Sequence, residues 1–292
     1  MRELVKKLRN YQIRIRKAID NQMQGDFHSV FKGSGLEFDD VRAYQYGDDT
    51  RTIDWNVSAK GHGTFVKTFK EEKEQNIFFL LDVSASQDIG NPNARKIDIA
   101  KEICGVLFFS AVKEQSLTGL ICYSDQKEKY IKPGKGEKHA YFMLSELLKL
   151  KPDSKKTNLN KALLNILNLL KRKSIIIIVS DFIDEGYEHN LKAVARKHDL
   201  IVIQINDKRE TDLPKLGIVP LMDKESNRTI WVNTSFPLFR KNLKDTFAQG
   251  RTDLEEYCHK INANYINVYT HEDYVLKLIK LFKIRNKGRR IA

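Results

Sequence analysis

Short apolar runs alternate with amphipathic stretches along most of the chain, and each pattern predicts a different element. Ile77 to Leu81 are five consecutive apolar residues that stop at Asp82, and Ile175 to Val179 form a second run shortly before Asp181. Runs of this length and composition are typical of strands that are buried on both faces of a parallel sheet. We therefore predict two central strands, each leading to an acidic residue.

The rest of the pattern predicts an α/β fold in which strands and helices alternate. Further strands are expected at 117–123, 129–132, 199–205 and 265–269. Helices are expected at 94–112, 139–150, 157–170, 189–197, 237–263 and 274–282, and a hairpin extension at 218–232 that turns at Asn227. Right-handed connections give a Rossmann-like, doubly wound and mostly parallel sheet flanked by helices.

The first 75 residues have a different pattern, and we assign them to a separate N-terminal segment before a domain at 76–292. Residues 3–19 carry one apolar stripe on a basic helix. Residues 33–60 show no sustained helical period, so we predict an irregular extension, with a short strand at 65–69. Arg–carboxylate pairs are expected to hold it in one shape, with structural roles for Asp40, Arg42, Asp48, Asp49, Arg51, Asp54 and Trp55.

Charge and cysteine content narrow the possible environments and partners. The net charge is +13, and almost all of the excess lies in residues 1–24 and 277–292. Basic ends allow contact with nucleic acid, an anionic membrane surface or an acidic partner, but no nucleic-acid-binding motif accompanies them. The first twenty residues are too charged for a signal peptide, and no apolar run reaches the roughly 18 residues of a membrane span. With three dispersed cysteines, a cytoplasmic protein with core thiols is expected.

Three separated pieces of the chain carry the candidate chemistry. Asp82, Ser84 and Ser86 form a D-x-S-x-S motif at the carboxyl end of a predicted strand, where open α/β sheets bind ligands. One carboxylate and two hydroxyls suit a hard cation such as Mg²⁺, although the serines could instead cap the next helix. Thr157 at a helix start and Asp181 after the second strand complete a set that resembles the metal-ion-dependent adhesion site of von Willebrand factor A (vWA) domains.

Longer motifs resemble one bacterial and archaeal family, the vWA-like domain-of-unknown-function 58 family. They include G-x-G-L-E-F-x-D-V-R-x-Y-x-x-G-D-D-x-R-x-I-D-W from Gly33, S-A-K, V-K-x-F-x-E-E and L-L-D-V-S-A-S, and they continue through Ser180–Phe182 and His198–Asp199 to Met222–Asp223. The resemblance implies a cytoplasmic vWA-type domain commonly encoded beside MoxR-type AAA+ ATPases. Such proteins are thought to act as adaptors in complex assembly or metal-centre insertion.

The resemblance also implies the role of each residue in the candidate site. Ser84, Ser86 and Thr157 would coordinate Mg²⁺, or Mn²⁺ or Ca²⁺, through their hydroxyls, and Asp82 and Asp181 directly or through water. We therefore expect a non-enzymatic, metal-dependent adaptor that binds an acidic residue of a partner protein. The alternatives are a Mg²⁺-dependent phosphohydrolase, and a nucleic-acid or anionic-membrane binder that uses the basic ends. An acid–base role for Asp54, His62 or Glu71 lacks any accompanying nucleophile motif.

Overall fold

The computed structural model describes residues 36–61, 63–71, 76–92, 94–222 and 229–289. The strands are β1 (Leu36–Ala43), β2 (Phe65–Glu71), β3 (Asn76–Asp82), β4 (Gly90–Asn91), β5 (Ala94–Arg95), β6 (Leu117–Tyr123), β7 (Lys127–Gly134), β8 (Ile175–Ser180), β9 (Asp199–Asn206), β10 (Ile218–Met222), β11 (Thr229–Asn233) and β12 (Asn264–Tyr269). The helices are α1 (Trp55–Ser58), α2 (Lys96–Lys113), α3 (Gly136–Lys149), α4 (Leu159–Leu169), α5 (Glu188–Lys197), α6 (Lys208–Thr211), α7 (Pro237–Lys260) and α8 (Tyr274–Arg289). The predicted helix at 3–19 and the hairpin turn at Asn227 lie outside the described residues.

A six-stranded sheet forms the centre of the larger of two compact units, which contains the described residues from Asn76 onward. Its strand order is β12-β9-β8-β3-β6-β7, and every neighbouring pair is parallel except β6 and the edge strand β7. The two apolar runs are β3 and β8 at its middle, buried along nearly their whole length. The predicted mixed α/β fold with a mostly parallel sheet is therefore confirmed.

Alternate residues of β3 point to opposite layers of helices, which explains why the whole run is apolar. Phe78 and Leu80 belong to a buried cluster with residues of α4, α5 and α7. Phe79 points to the other face, where its ring meets Phe108 of α2 edge to face at a centroid distance of 4.6 Å. The three cysteines are buried free thiols within this core, and burial raises the pKa of Cys122 to about 12.

Several boundaries differ from the sequence prediction. Strand β1 was missed because a register shift between Phe38 and Asp40 interrupts the alternation of apolar and polar residues. Helix α4 begins at Leu159 and its cap is Asn158, whose side chain accepts a hydrogen bond from the amide of Lys161, so Thr157 does not open the helix. Helix α8 continues to Arg289 instead of ending near 282. The short elements β4, β5 and α6 have no apolar period and were not predicted.

The second compact unit contains the described residues 36–71 and is built around the β1–β2 ribbon. Arg42 donates two parallel hydrogen bonds to Asp48, of 2.8 Å and 2.7 Å, and Arg42 lowers the pKa of that carboxyl. Among the other predicted structural residues, Asp49 accepts from both the amide and the side chain of Arg51. Of the remaining predicted structural residues, Asp40 accepts a hydrogen bond from the Val41 amide. Asp54 caps α1 and pairs with Lys67, and Trp55 is exposed.

Strands β10 and β11 pair antiparallel in a separate two-stranded ribbon of the larger unit, in agreement with the predicted hairpin. Ile218, Met222, Ile230 and Trp231 are all exposed on it. The base of the ribbon is closed by a hydrogen bond of 2.9 Å from the amide of Thr234 to a carbonyl of the preceding segment. Within the described residues, no helix combines the length and apolar character that crossing a bilayer requires.

His198, between α5 and β9, is a buried titratable side chain in one of the family motifs. Both of its ring nitrogens lack a hydrogen-bond partner within the described residues. Burial, together with the nearby charge of Lys197, lowers the pKa of the imidazole to about 4.

The pKa of His198 predicts a loss of stability in acid. An unfolded chain takes up a proton on this ring near pH 6.5 and the folded chain only near pH 4, so the free energy of unfolding falls as pH drops through that interval. The loss should be at most about 3 kcal/mol, measured by urea denaturation at pH 7.5 and pH 5. His198→Gln should flatten this dependence, whereas substitution of the exposed His271 by Gln should leave it unchanged. Equal pH dependence in all three proteins would contradict the assignment.

Candidate metal centre

The candidate site lies at the carboxyl edge of the sheet, where β3 and β8 end side by side. In the parallel register of these strands Leu81 lies opposite Val179, so the next residues, Asp82 and Ser180, are neighbours. Asp181 follows Ser180 directly. The topology alone therefore brings two acidic residues, separated by almost one hundred positions in sequence, to one edge of the sheet.

Asp82 is fully buried and both of its carboxylate oxygens are hydrogen bonded. One oxygen accepts from the backbone amide of Ser84 at 2.9 Å, and the other accepts from the Ser180 hydroxyl at 2.7 Å. The side-chain amide of Gln87 lies 3.4 Å from that second oxygen. These donors fix the carboxylate in one orientation at the end of β3.

The two serines of the D-x-S-x-S motif do not act as helix caps. Ser84 precedes the 3-10 turn Ala85–Asp88, but its side chain makes no capping hydrogen bond. Its hydroxyl oxygen instead lies 2.9 Å from that of Ser86. This is a hydrogen bond between the two hydroxyls. Oxygens at adjacent vertices of an octahedron with bonds of about 2.1 Å are separated by about 3.0 Å, so the same spacing is also compatible with two ligands of one Mg²⁺ ion.

The loop that contains Thr157 lies against the D-x-S-x-S loop. The amide of Ala85 donates to the carbonyl of Lys155 at 2.9 Å, and the amide of Asn158 donates to the carbonyl of Ser124 at 3.2 Å. Thr157 is half-buried between these two anchored positions. All three predicted pieces therefore meet at one edge of the sheet.

Asp181 is buried, and its environment contains a cation that the sequence analysis did not anticipate. One of its oxygens accepts from the ammonium of Lys96 at 2.7 Å, and the other accepts from the amide of Ile183 at 3.3 Å. The ammonium of Lys96 also donates to Glu210 at 2.5 Å. No local motif could have predicted this contact, because Lys96 and Glu210 are 114 positions apart.

The backbone turns sharply after Asp181. Phe182 has a φ of 58°, in the left-handed region that a bulky aromatic residue rarely adopts. Such a conformation costs about 1–3 kcal/mol and persists only where surrounding contacts enforce it. Here the amide of Phe182 donates to the Ser180 hydroxyl at 3.1 Å, and its ring packs edge to face against Tyr187.

Burial and like charge shape the electrostatics of the two carboxylates. Burial, and after it the negative charge of Asp181, raises the pKa of Asp82 to about 7. Burial alone would lower the pKa of Lys96, but the carboxylates of Asp181 and Glu210 outweigh it and raise that pKa. Lys96 is therefore held as a cation paired with Asp181, and within the described residues Asp82 has hydrogen-bond donors but no ion pair.

The residues at this edge fit a hard divalent cation. The donor set consists of hydroxyl and carboxylate oxygens, which Mg²⁺ prefers. Among the described residues, no group of three or more His, Cys, Asp or Glu side chains could hold a metal ion, so the candidate site depends on its hydroxyls together with two carboxylates. The buried carbonyl oxygen of Gln87 has no partner within the described part of the chain.

Fold and site together define an α/β protein with a doubly wound sheet and an oxygen-rich carboxyl edge. The model of the family described as "Protein of unknown function DUF58" matches residues 40–253. The match covers well over half of the chain, and the chain belongs to this family.

Curated relatives and solved structures extend the comparison. Uncharacterized protein Rv1480 of Mycobacterium tuberculosis (strain ATCC 25618 / H37Rv) is 24% identical over 289 residues, which covers 98% of this chain and 91% of that protein. The solved structures include the conserved hypothetical protein BatB from Bacteroides thetaiotaomicron, with 12% identity, a TM-score of 0.45 and coverage of 74% of this chain and 99% of that one. They also include the SpRpn10 VWA domain, with 11% identity, a TM-score of 0.41 and coverage of 71% and 94%.

The hydrogen bond from Ser180 to Asp82 predicts a stability effect. Ser180→Ala removes the hydroxyl that donates to the buried Asp82 carboxylate and accepts from the Phe182 amide. It should therefore lower the free energy of unfolding by about 1–3 kcal/mol in EDTA. Ser110→Ala is the matched control, since the buried Ser110 hydroxyl donates only to the Val106 carbonyl of its own helix, and it should cost less than about 1 kcal/mol. Urea denaturation measures both, and equal losses would contradict a specific role for Ser180.

Proposed function

We propose that this protein is a metal-dependent adaptor, which holds a divalent cation at the carboxyl edge and uses it to bind an acidic residue of a partner protein. Mg²⁺ is the expected ion, with Mn²⁺ or Ca²⁺ as substitutes. The observation that carries the proposal is the convergence of Asp82, the Ser84–Ser86 hydroxyl pair, the Thr157 loop and Asp181 at one edge of the sheet.

Each group of residues has a distinct role in this proposal. The hydroxyls of Ser84, Ser86 and Thr157 provide neutral ligands, and Asp82 and Asp181 orient coordinated water. A bound divalent cation supplies Lewis acidity at the edge. Because neutral hydroxyls cancel little of the positive charge, the site favours a carboxylate from outside as a further ligand.

A cleft beside Ser84 supports binding of a protein segment at this edge. The cleft has a volume of about 320 Å³, and its apolar wall includes Val83, Ile97, Leu150 and Pro152. Lys101 and Lys155 add positive charge to its lining. A partner segment with an acidic residue next to an apolar side chain would match both the ion and this cleft.

Family resemblance supports one partner class. Members of the family are commonly encoded beside MoxR-type AAA+ ATPases, so we propose such an ATPase as the partner and complex assembly or metal-centre maturation as the setting. Partners of this class would present the acidic residue that the edge binds.

Sequence and geometry do not favour the two alternatives. An aspartyl-phosphate enzyme usually has a second aspartate two residues after the first, and Ser84 stands at that position here. The basic C-terminal end is a less suitable surface for nucleic acid or a membrane because two of its cations have internal partners. Arg285 pairs with Asp199, and Lys277 pairs with Glu272.

The serine pair predicts an effect on ion binding. Ser84→Ala and Ser86→Ala should each weaken Mn²⁺ binding at least about tenfold, because each removes one ligand. Isothermal titration calorimetry of the EDTA-stripped protein measures the affinity. Thr252→Ala is the control, since this exposed hydroxyl donates to the Ala248 carbonyl of its own helix and is outside the proposed ligand set. Unchanged affinity in both serine variants would remove the pair from the site.

The cleft predicts an effect on partner binding. Lys155→Glu should weaken binding of a MoxR-type AAA+ ATPase from the same genome roughly fivefold, equivalent to about 1 kcal/mol, because it places a negative charge where an acidic segment docks. Lys151→Glu, on an exposed residue of the same loop outside the cleft lining, should leave binding unchanged. Biolayer interferometry in Mg²⁺ and in EDTA measures these affinities. Equal binding in both buffers would exclude the ion, and no binding at all would exclude the ATPase.

A further inference from the structure

Lys96 is the first residue of α2, and its side chain points into the protein at the candidate site. Lysine is among the residues that are least often fully buried, because its charge must be taken out of water. Here the whole side chain is buried and its ammonium contacts Asp181 at 2.7 Å and Glu210 at 2.5 Å. The protein therefore places a permanent cation against one of the two carboxylates proposed to orient an ion.

The position of Glu210 is fixed independently of Lys96. Its second oxygen accepts from the amide of Asp207 at 2.9 Å in a capping box at the start of α6. Asp207 in turn accepts from the amide of Arg209 at 2.8 Å and from the hydroxyl of Thr270. Because Glu210 is anchored in this way, it holds the ammonium of Lys96 at Asp181.

We infer that Lys96 is a positioning residue that sets the ion affinity of the edge by neutralising Asp181. The inference rests on the proposed function and adds a regulatory property to the same site. With Asp181 engaged by an ammonium, Asp82 is the carboxylate near the serine pair that has no ion pair within the described residues. The ion is therefore held weakly by the protein alone, and the carboxylate of the partner supplies the missing negative charge.

A purely structural role for Lys96 makes a different prediction. In that case the triad only ties α2, β8 and α6 together, and any variant that breaks it should weaken ion binding along with stability. If Lys96 tunes the ion site, then removing its charge should strengthen ion binding even though the protein becomes less stable. The two roles therefore predict opposite signs for one measurement.

The double variant Lys96→Met/Glu210→Gln tests the inference while conserving net charge, since it removes one cation and one anion. It leaves Asp181 as an unpaired carboxylate, so Mn²⁺ affinity at pH 8 should increase about tenfold or more.

Glu210→Gln alone is the matched comparison. In this variant Lys96 has Asp181 as its only anionic partner in the triad, so the affinity for Mn²⁺ should be unchanged or lower. Calorimetric titration of the full chain gives each affinity, and circular dichroism verifies the fold. Lys96→Gln/Glu210→Gln replaces the double variant if it does not fold.

The outcomes separate this inference from the proposed function. Mn²⁺ binding by the wild type without tighter binding by the double variant would overturn the role of Lys96 and leave the adaptor proposal intact. Binding by the double variant alone would support the role of Lys96 and overturn ion use by the native protein. Absence of binding in every protein would overturn both.

Discussion

Two buried carboxylates on adjacent strands are the constraint on which the structure of this edge depends. An ionised carboxylate removed from water is costly unless hydrogen bonds or a cation compensate it. The chain compensates Asp82 with a backbone amide and the Ser180 hydroxyl, and Asp181 with the ammonium of Lys96. Within the described residues Asp82 has no ion pair, which agrees with the rise of its pKa to about 7 on burial next to Asp181. The two carboxylates are therefore compensated differently, Asp82 by hydrogen bonds and Asp181 by an ion pair.

The sequence was most informative where burial acts on every residue of an element. Strands β3, β6, β8 and β9 were predicted almost to the residue, because burial on both faces makes most of their side chains apolar. Strand β1 was missed because its alternation is broken by a register shift and by consecutive acids. The start of α4 was misplaced because Thr157 and Asn158 are both good caps in sequence, and only the backbone decides between them.

The candidate site was predictable in part, for the same physical reason. Asp82 and Asp181 follow apolar runs, and parallel strands end at a common edge, so their proximity follows from fold class. The D-x-S-x-S spacing also pointed to the serine pair. Lys96 and Glu210 could not be found in this way, because their contact depends on how α2 and α6 pack and has no local signature. A lysine one position into an amphipathic helix is ordinarily an exposed residue.

A fold of this class supports many functions, so the functional argument has to come from the edge itself. Catalysis at a metal site requires a positioned base or nucleophile with access to substrate. The acids here are buried and hydrogen bonded, and the adaptor proposal uses them to orient water on an ion. A chain of hydrogen bonds and ion pairs continues inward from Asp181. It runs through Lys96 and Glu210 to Asp207 and Thr270. These contacts link the carboxyl ends of β8, β9 and β12 through the Lys96 ammonium and the side chains of Glu210 and Asp207.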